Sequence, residues 1–132
     1  MSSAAAPRNL TELQAEVDKL DPRYRLEKVI GNGSYGMVIR AKDNVDKCLV
    51  AVKRINSEIF GEAILAMRIL REIRLLAHFH DDNIVGMRNL LTPPSEDFTE
   101  FYLVMDMMET DLKQVFKSNQ KLTDAHIVCR LP

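Results

Sequence analysis

Three glycines in the pattern G-x-G-x-x-G restrict the fold of this chain more than any other feature of its sequence. They are Gly31, Gly33 and Gly36, and Val38 follows two residues later. Because glycine lacks a Cβ atom, the backbone of such a loop can come close to an anionic ligand. The pattern alone is weak, since two unrelated nucleotide-binding designs use it and it also arises by chance.

The residues after the last glycine distinguish these designs. A dinucleotide-binding fold begins a helix at the glycines and places the pyrophosphate at the N-terminus of that helix. Here residues 37–42 are rich in strand-forming side chains and reach the turn signal Asp43-Asn44 too soon for a helix. A P-loop needs Gly-Lys followed by Ser or Thr, whereas Met37 follows Gly36. The glycines are therefore predicted to join two strands, as a flap over phosphate groups.

Length and composition indicate one small domain. The chain has 132 residues, of which 46% are apolar and 28% charged, and its net charge of −1 gives no reason to expect nucleic acid or a membrane as a partner. Cys48 and Cys129 lack metal-site or disulfide-framework spacing, which favours a reducing compartment. No run of transmembrane length and no secretory signal is present, so a cytoplasmic or nuclear location is expected.

Hydrophobic periodicity predicts the order of helices and strands. A helix over residues 9–20, with Thr11 and Gln14 as its capping box, is expected to pack on the domain rather than to serve as a dedicated partner helix. Strands are predicted at 24–30, 37–42, 48–55, 84–91 and 101–106, and a long helix at 57–78. A short helix at 112–118, capped by Asp111, and another from Thr123 complete the pattern.

Lys53 interrupts the apolar run of the third strand. Alternation along a strand places Lys53 on the same side as Ala51, and Val50 and Val52 on the other side. Taken alone, Lys53 also fits a lysine whose charged end reaches solvent from an edge strand.

Five strands, a long helix after the third, a glycine flap between the first two and a lysine on the third together resemble the N-terminal lobe of a eukaryotic protein kinase. The resemblance covers about residues 24–111. It implies an α+β fold with a five-stranded antiparallel sheet, followed by the start of the helical C-terminal lobe. It also implies three parts: an N-terminal extension (1–22), the lobe with its hinge (23–108) and the start of the second lobe (109–132).

Within that family the sequence resembles the mitogen-activated protein kinases. Phe60, with Arg71-Glu72 after ten further residues, is similar to a signature of this group, as are the segments 108–112 and 122–126. By the same resemblance, Arg68 and Arg71 are candidates to bind a phosphorylated activation segment. A solvated basic helix face is an equally good interpretation of these arginines.

The resemblance also assigns a nucleotide site. Lys53 would contact the α- and β-phosphates of ATP and pair with Glu72, the well-placed acid of the long helix, 19 residues later, and these two are the predicted catalytic residues. The carbonyl of Asp106 and the amide of Met108 would bind adenine. The predicted nucleotide-binding residues are Ile30, Gly31, Asn32, Gly33, Ser34, Tyr35, Gly36, Val38, Ala51, Lys53, Met105, Asp106, Met108 and Asp111, with Asp111 assigned to the ribose.

The sequence departs from the family in one respect that bears on activity. It contains neither an H-R-D-type loop nor a D-F-G motif, whose side chains position the nucleophile and hold Mg²⁺. Asp97-Phe98-Thr99 lacks the glycine and precedes the hinge, so it is interpreted as a loop, and no metal site is predicted.

Three functional hypotheses follow. The first is the ATP-binding part of a serine/threonine kinase, and this chain is expected to be inactive at its present length. The full-length form would act on protein substrates and would itself be acted on by an upstream kinase. The second is a non-catalytic truncated isoform that acts as a binding or competitor module. The third, a dinucleotide-dependent oxidoreductase, requires a helix directly after Gly36.

Overall fold

The computed structural model describes residues 9–33, 36–56, 58, 61–96 and 100–124. Its elements in chain order are α1 (Leu10–Leu20), β1 (Tyr24–Gly33), β2 (Gly36–Asp43), β3 (Cys48–Asn56), α2 (Ala63–His78), β4 (Met87–Leu91), β5 (Glu100–Asp106) and α3 (Leu112–Lys117). The strands form one five-stranded sheet in the order β1-β2-β3-β5-β4, and every neighbouring pair is antiparallel. The predicted α+β architecture, with a long helix after the third strand, is confirmed.

The strand β2 begins at Gly36, where a dinucleotide-binding fold would begin a helix. Gly36 has a φ of +148°, and a Cβ atom at this position would overlap the carbonyl oxygen of Arg54. The last glycine of the motif is therefore required by the packing of the hairpin against β3. The structure contradicts the oxidoreductase hypothesis, because the segment after Gly36 is a strand.

The two faces of the sheet are covered by different helices. Ile39, Val52 and Val104 are cross-strand neighbours and share a face with the buried side chains of α1. On the opposite face Leu103 packs with Ile69 of α2. Because side chains alternate along β3, Lys53 lies on the face that α2 covers.

The helix α1 is anchored to the sheet, as the packing interpretation predicted. Leu13 and Val17 are fully buried in the core on the α1 face. The side-chain amide of Gln14 donates to the carbonyl of Tyr24 at 3.0 Å and accepts from the amide of Leu26 at 2.7 Å. Gln14 therefore satisfies backbone groups at the start of the edge strand β1.

The capping box predicted at Thr11 and Gln14 is wrong. Asn9 is the N-cap of α1, since its Oδ1 accepts a hydrogen bond from the backbone N–H of Glu12 at 2.9 Å. Its extended backbone, with φ −71° and ψ 163°, is the conformation that an N-cap residue adopts. Thr11 lies inside the helix, where it cannot take this role.

The helix α2 begins at Ala63, six residues after the start predicted from sequence. The side chain of Asn56 accepts a hydrogen bond from the amide of Glu58 at 3.1 Å, before the helix begins. Gly61 follows, a residue that disfavours a helix interior. Residues 57, 59 and 60, including the signature residue Phe60, lie outside the described residues.

The strand β4 also begins later than predicted, at Met87 instead of residue 84. Asp81 holds the preceding turn, because its carboxylate accepts from the amide of Asn83 at 2.8 Å and its carbonyl accepts from the amide of Ile84 at 3.1 Å. The other strands agree with the prediction within three residues at each end.

The predicted cap of α3 is confirmed. The Oδ1 atom of Asp111 accepts from the amide of Gln114 at 2.8 Å. The further helix predicted from Thr123 falls almost entirely outside the described residues. No helix within the described ranges has the length and apolar character needed to cross a membrane.

Candidate functional site

The structure brings Lys53 and Glu72 together. The Nζ atom of Lys53 lies 3.3 Å from Oε1 of Glu72, and this ion pair joins β3 to α2. The side chain of Lys53 is only 15% exposed, and β3 is flanked by β2 and β5. An edge-strand lysine is thereby excluded, because β3 is an interior strand.

The residues around Lys53 form a small apolar surface on the same face of the sheet. Lys53 has Val38 of β2 and Leu103 of β5 as cross-strand partners, and Ala51 has Met105. Direct partners in antiparallel strands share a face. Ala51 is only 7% exposed, although its side chain is a single methyl group. Lys53 therefore stands in a row of apolar side chains on the face of the sheet that α2 covers.

The hairpin of β1 and β2 extends beside this surface. Gly31 pairs with Val38, so the start of the glycine motif lies next to the Lys53 row. No described atom lies within 4 Å of the position that a Cβ atom on Gly31 would occupy. Protein packing therefore requires glycine at Gly36 but not at Gly31. Ser34 and Tyr35, predicted to bind nucleotide, lie outside the described residues.

The remaining predicted nucleotide residues of β1 are Ile30, Asn32 and Gly33. Ile30 is 41% exposed although it is apolar, and it falls at a register irregularity between β1 and β2. Asn32 pairs with Met37, and Gly33 with Gly36, so the hairpin remains paired up to its turn. The backbone of the predicted flap is therefore paired between residues 31–33 and 36–38, next to the irregularity at Ile30.

The C-terminal end of β5, the predicted hinge, is held by two residues that sequence reasoning missed. Asp106 accepts from Nε of Arg88 at 2.8 Å and from the amide of Gly86 at 3.0 Å, and its own amide donates to the carbonyl of Gly86 at 3.0 Å. The carboxylate of Asp106 raises the pKa of the Arg88 guanidinium above its ordinary value. Met108 follows and is partly buried.

This geometry agrees with the similarity of the sequence to known proteins. Residues 24–129 match the family model described as the protein kinase domain. The chain belongs to the protein kinase family. It is 48% identical over 105 residues to mitogen-activated protein kinase 16 of Arabidopsis thaliana. The matched region covers 79% of this chain and 18% of that relative.

Two further relatives support the same group. Over 105 residues the chain is 47% identical to mitogen-activated protein kinase 14 of Oryza sativa subsp. japonica, covering 79% of this chain and 19% of the relative. Over 128 residues it is 39% identical to mitogen-activated protein kinase 19 of Arabidopsis thaliana, and this region covers 96% of this chain and 21% of the relative. These curated relatives are mitogen-activated protein kinases, and the chain spans about a fifth of their length.

Asp111 and the arginines of α2 occupy exposed positions in the kinase chain. One oxygen of Asp111, predicted to meet the ribose, is already engaged as the N-cap of α3. Arg68 and Arg71 are exposed on α2, which fits both a phosphate-binding role and a solvated basic face. The choice between these two interpretations stays a prediction.

A buried carboxylate anchors the turn between β2 and β3 of the kinase. Asp43 is 1% exposed and accepts from Nε and Nη2 of Arg23 at 3.0 and 2.6 Å. It also accepts from the amides of Val45 and Asp46 at 2.9 and 3.1 Å. The bonds from Arg23 lower the pKa of Asp43 to about 2, while its burial opposes that shift.

Asp46 links this turn to the predicted hinge. Its Oδ2 atom lies 3.2 Å from Nη2 of Arg23 and 3.5 Å from Nη1 of Arg88, whose Nε donates to Asp106. The series Arg23, Asp46, Arg88 and Asp106 therefore links the start of β1 to the end of β5 through charges of alternating sign. Within the part of the chain that the structure describes, no three His, Cys, Asp or Glu side chains are placed to hold a metal ion.

Proposed function

We propose that this chain forms the ATP-binding part of a mitogen-activated serine/threonine protein kinase. The ion pair between Lys53 and Glu72 carries the proposal, because it holds a lysine of low exposure, ready to meet phosphate, beside a glycine-containing hairpin. A partly buried ammonium group keeps its charge when a carboxylate stabilises it. An acidic partner on a helix also sets where the ammonium group points.

Each proposed contact assigns one part of ATP to a residue whose chemistry suits that part. Lys53 attracts the α- and β-phosphates, and Glu72 holds Lys53 in place. Val38 and Ala51 lie on the same face of the sheet and contact one face of the adenine ring, and their small or branched side chains leave room for it. Met105 closes the back of the pocket. We assign the hydrogen bonds with adenine to the carbonyl of Asp106 and the amide of Met108, and a contact with the ribose to Asp111.

Phosphoryl transfer by the whole kinase would also involve Mg²⁺. Mg²⁺ would neutralise phosphate charge during phosphoryl transfer, but the described residues offer no cluster of ligands for it, and the sequence contains no D-F-G or H-R-D-type motif. We therefore assign no step to Mg²⁺ on this chain. We infer that the 132-residue chain alone binds ATP without transferring its γ-phosphoryl group. The whole kinase would transfer it to serine or threonine of protein substrates, under the control of an upstream kinase.

Titration with ATP tests the binding proposal. We expect Lys53→Met to weaken ATP binding by about tenfold or more, since it removes the charge that meets the phosphates. Lys42→Met is the matched control, because Lys42 is an exposed lysine of β2. The affinity of this variant for ATP is expected to stay within about twofold of that of the unmodified chain. Equal ATP affinity of the two variants would contradict the proposed site.

A phosphotransfer assay tests the inferred inactivity. The purified chain, supplied with ATP, Mg²⁺ and a generic basic protein substrate, is expected to show no turnover. Turnover that Lys53→Met abolishes would refute this inference, because only a site that uses Lys53 would respond to that change.

A role as a non-catalytic competitor is the second candidate. Leu112 and Phe116 of α3 are 54% and 68% exposed, and exposed apolar side chains of this kind mark surfaces that associate. Adding the chain to an assay of the whole kinase tests this role. Inhibition that Phe116→Ser relieves supports it, and unchanged kinase activity at saturating concentrations of the chain contradicts it.

A further inference from the structure

The side chain of Asp106 is anchored from two directions. One carboxylate oxygen accepts from Nε of Arg88 at 2.8 Å, and the other accepts from the amide of Gly86 at 3.0 Å. Gly86 in turn accepts from the amide of Asp106 at 3.0 Å, so the two residues are joined by a reciprocal pair of hydrogen bonds. These contacts fix the side chain and the amide of the residue whose carbonyl is assigned to adenine.

Arg88 is itself held at a second point. Its Nη1 atom lies 3.5 Å from Asp46, whose carboxylate is also 3.2 Å from Arg23. Arg88 therefore connects the end of β5 to the turn between β2 and β3. The side chains of Arg88 and Asp106 are 35% and 23% exposed, so the contact is partly shielded from solvent.

We propose that Arg88 is a positioning residue for nucleotide binding, which acts through the side chain of Asp106 to fix the hinge backbone. This rests on the proposed function, since it assumes that the carbonyl of Asp106 and the amide of Met108 bind adenine. Hydrogen bonds to a flat base depend on placement to within about 0.5 Å. A hinge that can rotate would lose this alignment before the sheet loses stability.

An ordinary surface ion pair is the alternative, and the chain offers a closely matched one. Arg40 donates from Nε to Glu27 at 2.8 Å, and the two side chains are 36% and 33% exposed. Surface pairs of this kind contribute little to stability. If the contact between Arg88 and Asp106 has no further role, removing either arginine should have the same small effect.

Titrations of Arg88→Gln and Arg40→Gln with ATP and with inorganic tripolyphosphate test the proposal. For Arg88→Gln we expect ATP affinity to fall about tenfold, with tripolyphosphate affinity within about twofold, because only the contacts with the base depend on the hinge. Arg88→Lys, which keeps the charge, should regain part of the loss. Arg40→Gln should change neither affinity. Equal losses for the two ligands, or equal ATP affinities of the two glutamine variants, would overturn the proposal.

Hydrogen exchange without nucleotide separates this inference from the proposed function. Arg88→Gln is expected to speed exchange at the amides of Asp106 and Met108, whereas Arg40→Gln leaves them unchanged. If the unmodified chain binds no ATP, the proposed function fails for this chain, and faster exchange still supports the anchoring of the hinge by Arg88. Unchanged exchange in Arg88→Gln overturns that anchoring whatever the outcome with ATP.

Discussion

Replacing Asp43 by asparagine tests whether charge anchors the turn between β2 and β3. The Oδ1 atom of Asp43 accepts from Nε of Arg23 and from the amides of Val45 and Asp46, and its Oδ2 atom accepts from Nη2 of Arg23 at 2.6 Å. An asparagine can keep the contacts to Oδ1. Its side-chain NH2 group then faces Nη2 of Arg23, which is also a donor, so the shortest of these bonds is lost.

The expected magnitude follows from the pKa of Asp43. The fold lowers this pKa from 3.8 to about 2. At about 1.4 kcal/mol for each pKa unit, this lowering corresponds to about 2.5 kcal/mol of unfolding free energy. Because the pKa is lower in the folded chain, the unfolded chain binds more protons between about pH 4 and pH 2. The contribution is therefore complete above about pH 4 and is lost as the pH falls to about 2.

Urea unfolding followed by circular dichroism at a series of pH values measures this contribution. At neutral pH, Asp43→Asn should lower the unfolding free energy by about 2–3 kcal/mol. Asp46→Asn is the matched control, because Asp46 meets the same Arg23 at 3.2 Å but is 54% exposed. We expect it to cost less than about 1 kcal/mol.

The difference between the unmodified chain and Asp43→Asn should shrink by about 2 kcal/mol as the pH falls from about 4 to about 2. Two curves that stay parallel over this range would refute the reasoning. The fold would then not lower the pKa of Asp43, and the cost of the substitution would have another origin.

Three further predictions concern the glycine hairpin, α1 and α3. Gly36→Ala should lower the melting temperature, since a Cβ atom there overlaps the backbone of β3, whereas Gly31→Ala should leave it unchanged and weaken only ATP binding; equal melting temperatures would contradict this. Leu13→Ala should lower the unfolding free energy in urea by about 2–5 kcal/mol because it opens a cavity between α1 and the sheet, and a cost below about 1 kcal/mol would show that α1 is not part of the core. Leu112→Ser and Phe116→Ser together should reduce self-association measured by sedimentation, and an unmodified chain that is already monomeric would exclude such association.

Local patterns in the sequence were sufficient to predict most of the sheet, and the family resemblance predicted the central ion pair. The glycine spacing, the short strand-forming segments and the helical periodicity after β3 each act within about ten residues, where backbone sterics and side-chain alternation decide the structure. The meeting of Lys53 and Glu72 was expected from a family resemblance. It also has a simple geometric basis, because α2 follows β3 directly and packs against the face that carries Lys53.

The contacts that hold the turn and the hinge could not be read from the sequence. Arg88 and Asp106 are 18 residues apart, and Arg23 and Asp43 are 20 apart. No periodic pattern relates residues at such separations. Arg88 also lies where the register of β4 and β5 shifts, between Met87 and Asn89, and sequence periodicity does not predict such a shift.

The cap of α1 separates what the sequence by itself determined from what the tertiary structure decided. The sequence determined that a helix forms near residue 10, and its cap was predicted at Thr11 with Gln14. Asn9 and Glu12, which the structure uses, have the same spacing. Local chemistry permits both. The tertiary structure decided between them, because the side chain of Gln14 bonds to a carbonyl and an amide of the edge strand β1 and is therefore not available to a capping box with Thr11.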